Sequence, residues 1–282
     1  MIELTLPEIK QAQLNILLKV HQFCVRNEIK YSLGFGTMLG AVRHKGFIPW
    51  DDDIDLILPR SDYQRFIALF NEQADPSLRL RSLDTDPNYE HPFAKVEDRH
   101  TKLVEFADGA YDIGINIDVF PLDGVPSGEA EFEKYYKSLK FYRDAWVVKT
   151  IKSDYKKRGV LKSVVLSTLK MLSLFVSRRR LADIIHSKIT QHQYDECDWV
   201  MVTCVQENKR KHRAKKEWFE DIGDIEFEGE TFKAVTQHDK YLTVQDGDYM
   251  QLPPEHERVT HHNYKAYALP KYTVSTEEKV NE

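Results

Sequence analysis

The sequence predicts an α+β fold, a mixed sheet core with helical additions. Three observations predict it. Apolar residues recur at helical spacing near the start of the chain. Short strand-like runs bounded by Gly and Pro crowd residues 30 to 125 without regular strand–helix alternation, and a long helical, basic stretch follows them. With 282 residues, 41% hydrophobic and 30% charged, the chain can bury a sizeable core.

Taken in order, Pro7 to about Glu28 reads as a helix with Leu14, Leu17, Leu18, His21 and Val25 on one face, and Pro7 suits its first turn. "IKYSLGFG" then gives a short strand broken at Gly34 and Gly36, followed by a short helix from Thr37 to about Arg43 that closes near Gly46. Pro49 keeps Ile48 extended. Asp53 to Leu58 reads as a strand ended by Pro59, and Ser61 is expected to cap the next helix with Gln64 as its capping-box partner. "LRLRSL", "PFAKVED", "TKLVEFA" and "INIDVFPLDG" read as strands, the last stopped by Pro121 and Gly124. The first 125 residues are therefore expected to surround one sheet. Glu129 to Gln193 has a helical pattern, "EFEGETFKAV" reads as a hairpin turning at Glu228-Gly229, and "GDYMQLPPEHERVTHH" as an ordered, proline-containing tail.

Charge and cysteine content narrow the function classes. A net charge of −5 gives no reason to expect nucleic-acid binding. From Lys149 to Lys188, however, eleven Lys or Arg face only Asp154 and Asp183, a local balance of +9 in a chain that is −14 elsewhere. This stretch contains "VVLSTLKMLSLFV", which fits either an interfacial helix or a core helix with a solvated basic face. Cys24, Cys197 and Cys204 cannot all pair and read as free thiols of a reducing compartment. His192, Cys197, Cys204 and His212 match no zinc-ligand spacing. The start "MIELTLPEIKQAQ" lacks the pattern of a signal peptide, and no apolar run approaches the ~18 residues of a membrane span. The expected location is cytoplasmic, at or near the inner face of the membrane.

The chemistry concentrates in "GFIPWDDDIDLILPR", where Asp51, Asp52, Asp53 and Asp55 precede an apolar run. Clustered carboxylates repel and are costly to bury without positive charge. In a strand reaching back to residue 51, Asp51, Asp53 and Asp55 would share one face, and such oxygen donors suit Mg²⁺ with phosphate in its remaining positions. An acidic surface turn is the plain alternative. Upstream, "GFGTMLGAVRHKG" places Gly36 and Thr37 at a strand–helix junction, where free amides favour phosphate, and Arg43, His44 and Lys45 add positive groups. Asp118 in "NIDVFPLDG" is the candidate third carboxylate, and Lys95 in "FAKVED" a candidate counter-charge or a solvent-facing lysine. Trp50 stacks on a ligand or packs the loop, and His261 and His262 touch an acceptor or stay solvated.

A Gly-Ser/Thr turn followed by Asp-x-Asp on the next strand resembles the nucleotidyltransferase arrangement. "GTMLGAVRHKGFIPWDDDIDLILPRSDYQRF", with "IDVFPLDGVP" and "GDYMQLPPEHERVTHH" later, resembles the LicD family, phosphotransferases related to fukutin and fukutin-related protein, over about residues 25 to 265. The resemblance implies a nucleotidyltransferase-like core that moves a phospho-alcohol group, most often phosphocholine from CDP-choline, to a hydroxyl of a glycan such as teichoic acid, lipopolysaccharide or a capsule precursor, releasing CMP. It also implies a Mg²⁺ or Mn²⁺ ion on Asp51, Asp53 and Asp55, with Asp118 as base or further ligand. Gly36, Thr37, Arg43, His44, Trp50 and Lys95 are then expected around the donor. On this reading residues 1–125 are the catalytic core, 126–200 a helical basic segment, and 201–282 a part completing the same domain. The acceptor would be lipid-linked, with peripheral membrane contact through residues 149–188. The same carboxylates would also serve a nucleotidylyltransferase releasing pyrophosphate, or a metal-dependent glycosyltransferase.

Overall fold

The structure is a computed structural model and describes residues 1–105, 113–149, 176–205, 210–259 and 264–270. Helix α1 (Leu6–Arg26) starts where the Thr5 amide donates to Glu8 Oε2 at 2.7 Å. Its buried residues include Leu14 and Leu17 of the expected face, but the stripe is wider and shifted toward Ile9, Ala12, Ile16, Val20 and Phe23, leaving Val25 55% exposed. The reason lies in tertiary packing. Phe23 stacks edge-on against Phe66 and Phe70, and that aromatic cluster fixes the helix rotation.

Strand β1 (Ile2–Glu3) precedes α1, and strand β2 (Ser32–Leu33) follows it. Helix α2 (Phe35–His44) begins two residues earlier than expected and ends at Lys45, which is left-handed with φ 61°. Strand β3 (Asp55–Pro59) likewise starts two residues later than the pattern suggested, so strand alternation does not place Asp51 and Asp53. Helix α3 (Arg60–Gln73) begins at Arg60, and Ser61 makes no cap. A buried ion pair explains the early start, because Arg60 donates to both oxygens of Asp123, at 2.6 and 2.9 Å.

Strands β4 (Leu78–Arg81), β5 (Ala94–Asp98), β6 (Thr101–Glu105) and β7 (Asn116–Val125) follow. β7 runs straight through Pro121 and Gly124, against expectation. Its first half pairs with β5 through Val119 and its last residues pair with β8 (Trp199–Met201) from Asp123. Pro121 falls between the two partners, where its missing N–H leaves no gap in either ladder.

The main sheet has the order β2-β3-β7-β5-β4, with β8 and β9 (Ala214–Lys215) added at the far half of β7. Only β3 and β7 are parallel. The single sheet expected for the first 125 residues is incomplete as a description. β6 leaves to pair with β12 (Tyr264–Ala268), which also takes β1. β10 (Ile222–Phe227) and β11 (Glu230–Val235) form the hairpin, turning at Glu228 and Gly229 with φ 54° and 78° as a two-residue turn of that hand requires.

The described helices of the middle are α4 (Glu129–Val148) and α5 (Arg178–Ile189), whose Leu139, Ile185 and Ile189 enter the core cluster that spans Leu4 to Ala268. Helix α6 (His238–Asp246) packs on α2. The apolar run 164–176 lies outside the described residues except for Val176. Two of the basic residues near it point inward. Arg179 donates to the carbonyls of Leu83, Asp86 and Tyr89, while Arg178 pairs with Glu90 and stacks over Trp146.

Candidate active site

The parallel register of β3 and β7 sets Asp55 beside Asp118, and the β5 register sets Lys95 on the other side of Asp118. Cross-strand partners point to one face, so three neighbouring strands deliver carboxylate, carboxylate and ammonium in a row. Lys95 Nζ donates to Asp118 Oδ1 and, at 3.1 Å, to Asn116 Oδ1. Lys95 is therefore paired with Asp118 rather than facing solvent, its side chain only 16% exposed.

Around this row stands the turn into α2. Phe35 adopts φ 42°, an uncommon left-handed value, between Gly34 and Gly36, with its ring against Phe120 at 5.4 Å. A Cβ on Gly36 would lie 2.7 Å from Asp51 Oδ2, so only glycine lets the first turn of α2 come this close to a carboxylate. Thr37 is buried, and its Oγ1 accepts the Asp55 amide at 2.8 Å. Its hydroxyl therefore fixes the backbone at the head of β3.

Charge in the cluster is unbalanced. Asp55 is 9% exposed, and its carboxyl is pushed well above the ordinary aspartate range by burial first and then by Asp53, Asp118 and Asp51, against the pull of Lys95. Hard oxygen donors short of positive charge are what a divalent cation requires, so the donor set fits Mg²⁺ or Mn²⁺ in chemistry. Among the described residues, no three His, Cys, Asp or Glu side chains already close on one point.

Two contributors carry no motif in the sequence. Gln13, 4% exposed on α1, donates to the carbonyls of Asp52 at 2.9 Å and Asn116 at 3.3 Å, tying the aspartate loop to the head of β7. A glutamine inside an apolar helix face is its visible signal. Tyr264 of β12 donates to the Asp52 carbonyl at 3.4 Å, and its hydroxyl pKa is pushed up by burial and by the charge of Asp52. Nothing local marks it, because β12 reaches the site only through the second sheet. Both line a cavity of about 110 Å³ with Asp53, Lys95 and Asp118.

Arg43 and His44 sit further along α2, and Trp50 in the loop that follows it. Arg43 donates to the Tyr249 carbonyl at 2.7 Å and through Nε to His44 Nε2 at 2.9 Å. Burial and Arg43 hold His44 below the ordinary histidine pKa, which keeps that acceptor nitrogen unprotonated. Trp50 is half-buried, edge-on to His44, with the Arg258 guanidinium 5.8 Å from its ring centre. His261 and His262 lie outside the described residues. All three cysteines are free, with Cys24 and Cys204 buried.

Residues 28–162 match the family model described as "LicD/FKTN/FKRP, nucleotidyltransferase domain". The chain is 35% identical over 272 residues to the lipopolysaccharide cholinephosphotransferase LicD of Haemophilus influenzae, covering 95% of this chain and 99% of that protein. Shorter matches, 42% identical over 55 residues and 50% over 42, reach uncharacterized proteins of Rickettsia typhi and Rickettsia prowazekii, each over less than a fifth of either chain. Similarity that runs end to end, through the aspartate loop, β7 and the segment after α6 alike, places this chain in the LicD family.

Proposed function

We propose that this chain is a metal-dependent phosphotransferase that moves phosphocholine from CDP-choline to a hydroxyl of lipopolysaccharide or a related surface glycan, releasing CMP. The name of the Haemophilus influenzae relative supports the group transferred and the acceptor class. The observation that carries the reading is the register of Asp55, Asp118 and Lys95 on adjacent strands beside the first turn of α2. We take this core as nucleotidyltransferase-like.

In the reaction the acceptor oxygen bonds to the choline-bearing phosphorus, the bond to CMP breaks, and the hydroxyl proton leaves. Asp53 and Asp55, with Asp51 beside them, would hold the cation. Bound there, Mg²⁺ or Mn²⁺ supplies charge stabilisation to the diphosphate. Phosphoryl transfer asks the protein chiefly for alignment and for stabilisation of charge on the phosphoryl oxygens. Thr37 and Gln13 hold the two ends of the carboxylate loop. The amides of Gly36 and Thr37 have no acceptor within α2 and favour a phosphate oxygen. Asp118 would take the acceptor's proton or complete the ligand set, with Lys95 hydrogen-bonded to it. Residues 1–125 and 201–282 would form one catalytic unit, with 126–200 a basic addition that meets the membrane holding a lipid-linked acceptor.

The test is product identity. Purified protein with Mg²⁺, CDP-choline and lipopolysaccharide should release CMP and label the glycan with choline. Pyrophosphate from a nucleoside triphosphate would instead mark a nucleotidylyltransferase, and sugar transfer a glycosyltransferase.

A further inference from the structure

A cavity of about 500 Å³ opens between α2 and the segment after α6, walled by Leu39, Arg43, Trp50, Asp248, Tyr249 and Glu257 among others. It adjoins the carboxylate site. Gly36, Leu39 and Arg43 are spaced i, i+3, i+7 on one face of α2, so the face that meets Asp51 at Gly36 continues as the cavity wall. The step from Gly36 to Leu39 is about 4.5 Å along the helix. Trp50, the residue before Asp51, contributes from the loop.

The lining selects for a cation. Asp246, Asp248 and Glu257 outnumber Arg43 and the neighbouring Arg258, and both arginines are already engaged, Arg43 with the Tyr249 carbonyl and His44 and Arg258 with the Pro253 carbonyl at 2.8 Å. A nucleoside diphosphate would meet three carboxylates here. Two aromatic rings, Trp50 and Tyr249, share the wall with them. The Arg258 guanidinium lies 5.8 Å from the Trp50 ring centre, so this ring already holds a cation, and a ligand ammonium on that face would take the place of Arg258. Aromatic faces together with carboxylates, without a strong demand for hydrogen-bond donors, are the chemistry that holds a quaternary ammonium.

We infer that this cavity binds the trimethylammonium end of the donor, with Trp50 and Tyr249 as its aromatic walls and Asp248 and Glu257 as its counter-charges. The inference rests on the choline donor proposed above and assigns where choline is told apart from other alcohols. The phosphorus would then lie on the Gly36 side of the cavity, toward Asp51.

The test separates the cavity from the reaction by measuring binding without turnover. The chain has four tryptophans, and in an indole ¹H–¹⁵N NMR spectrum the Trp50 signal is identified by its loss in Trp50→Phe. Phosphocholine and tetramethylammonium should both move the Trp50 signal, and phosphoglycerol should not. Tyr249→Leu and Asp248→Asn should each weaken tetramethylammonium binding, about tenfold for the aromatic change. In turnover, Tyr249→Leu should raise KM for CDP-choline with little change in kcat. A Trp50 signal that stays still with tetramethylammonium and phosphocholine overturns the inference, even if CMP is released from CDP-choline. A moving Trp50 signal with no CMP release keeps the cavity and overturns the donor reading.

Discussion

Asp55 is where the site's electrostatics concentrate. Its carboxyl is buried and crowded by Asp53, Asp118 and Asp51, so its pKa in the folded chain lies above its unfolded value. The sign follows. Below the unfolded pKa both states are protonated and nothing is lost. As pH rises from there to the raised folded value, the unfolded state ionises first and the folded state loses stability, and above it the full cost persists. Asp55→Asn removes that cost. Without metal at neutral pH its melting midpoint should exceed wild type by a few degrees, and the gap should close as pH falls toward the ordinary aspartate range. The same variant should lose transfer by at least about a thousandfold and lose any Mg²⁺-dependent rise in melting temperature. A variant that still shows Mg²⁺-dependent stabilisation would remove Asp55 from the ligand set.

At the scale of elements, the β10–β11 hairpin acts as a brace. The Glu228 amide donates to the Lys45 carbonyl at 2.8 Å, and Glu228 Oε1 accepts the Phe47 amide at 2.8 Å. The hairpin tip therefore grips the loop between α2 and the aspartates. Glu228→Ala should cost about 1 kcal/mol in denaturant unfolding. It should also lower kcat severalfold, because the aspartate loop loses its anchor. Glu230→Ala, on an exposed position of the same hairpin, is the control and should leave both unchanged. Equal effects from the two would make the brace a general feature of the hairpin rather than a contact of Glu228.

Across the whole molecule, the Arg60–Asp123 pair ties the head of α3 to the far half of β7, with both side chains buried. Arg60→Met leaves Asp123 buried and unpaired, and should cost about 3–5 kcal/mol. Arg60→Met with Asp123→Leu should recover most of it, read by melting temperature. If the double variant is no better than the single, the pair is not what makes Arg60 important. The basic middle gives a second prediction. Protein should co-sediment with anionic vesicles at low salt and be released as salt screens the contact. Arg178 and Arg179 are unsuitable probes because they bind inward, so the informative change is Lys156, Lys157 and Arg158 to Gln, which should weaken sedimentation. Wild type that stays in the supernatant with anionic vesicles at low salt would end the membrane reading.

Much of the local structure is legible in the residues. The Glu228-Gly229 turn is visible because a two-residue hairpin needs left-handed residues between alternating runs, and the acidic loop stands out through charge density alone. The order of the motifs along the chain marks the family. Boundaries differ from the local pattern where a distant partner sets them. Arg60 starts α3 early because of Asp123, and Pro121 does not stop β7 because β5 and β8 divide its length. The rotation of α1 follows from Phe66 and Phe70. By itself the sequence determined the helical and extended periodicities, the turn chemistry and the cluster of oxygen donors, since each depends on neighbours a few residues apart. Tertiary structure alone decided that Asp55, Asp118 and Lys95 stand in one row, that Gln13 and Tyr264 hold the loop beside them, and that Trp50 and Tyr249 share a wall. Those residues lie tens to hundreds of positions apart, and only strand register and helix packing set the distance between them.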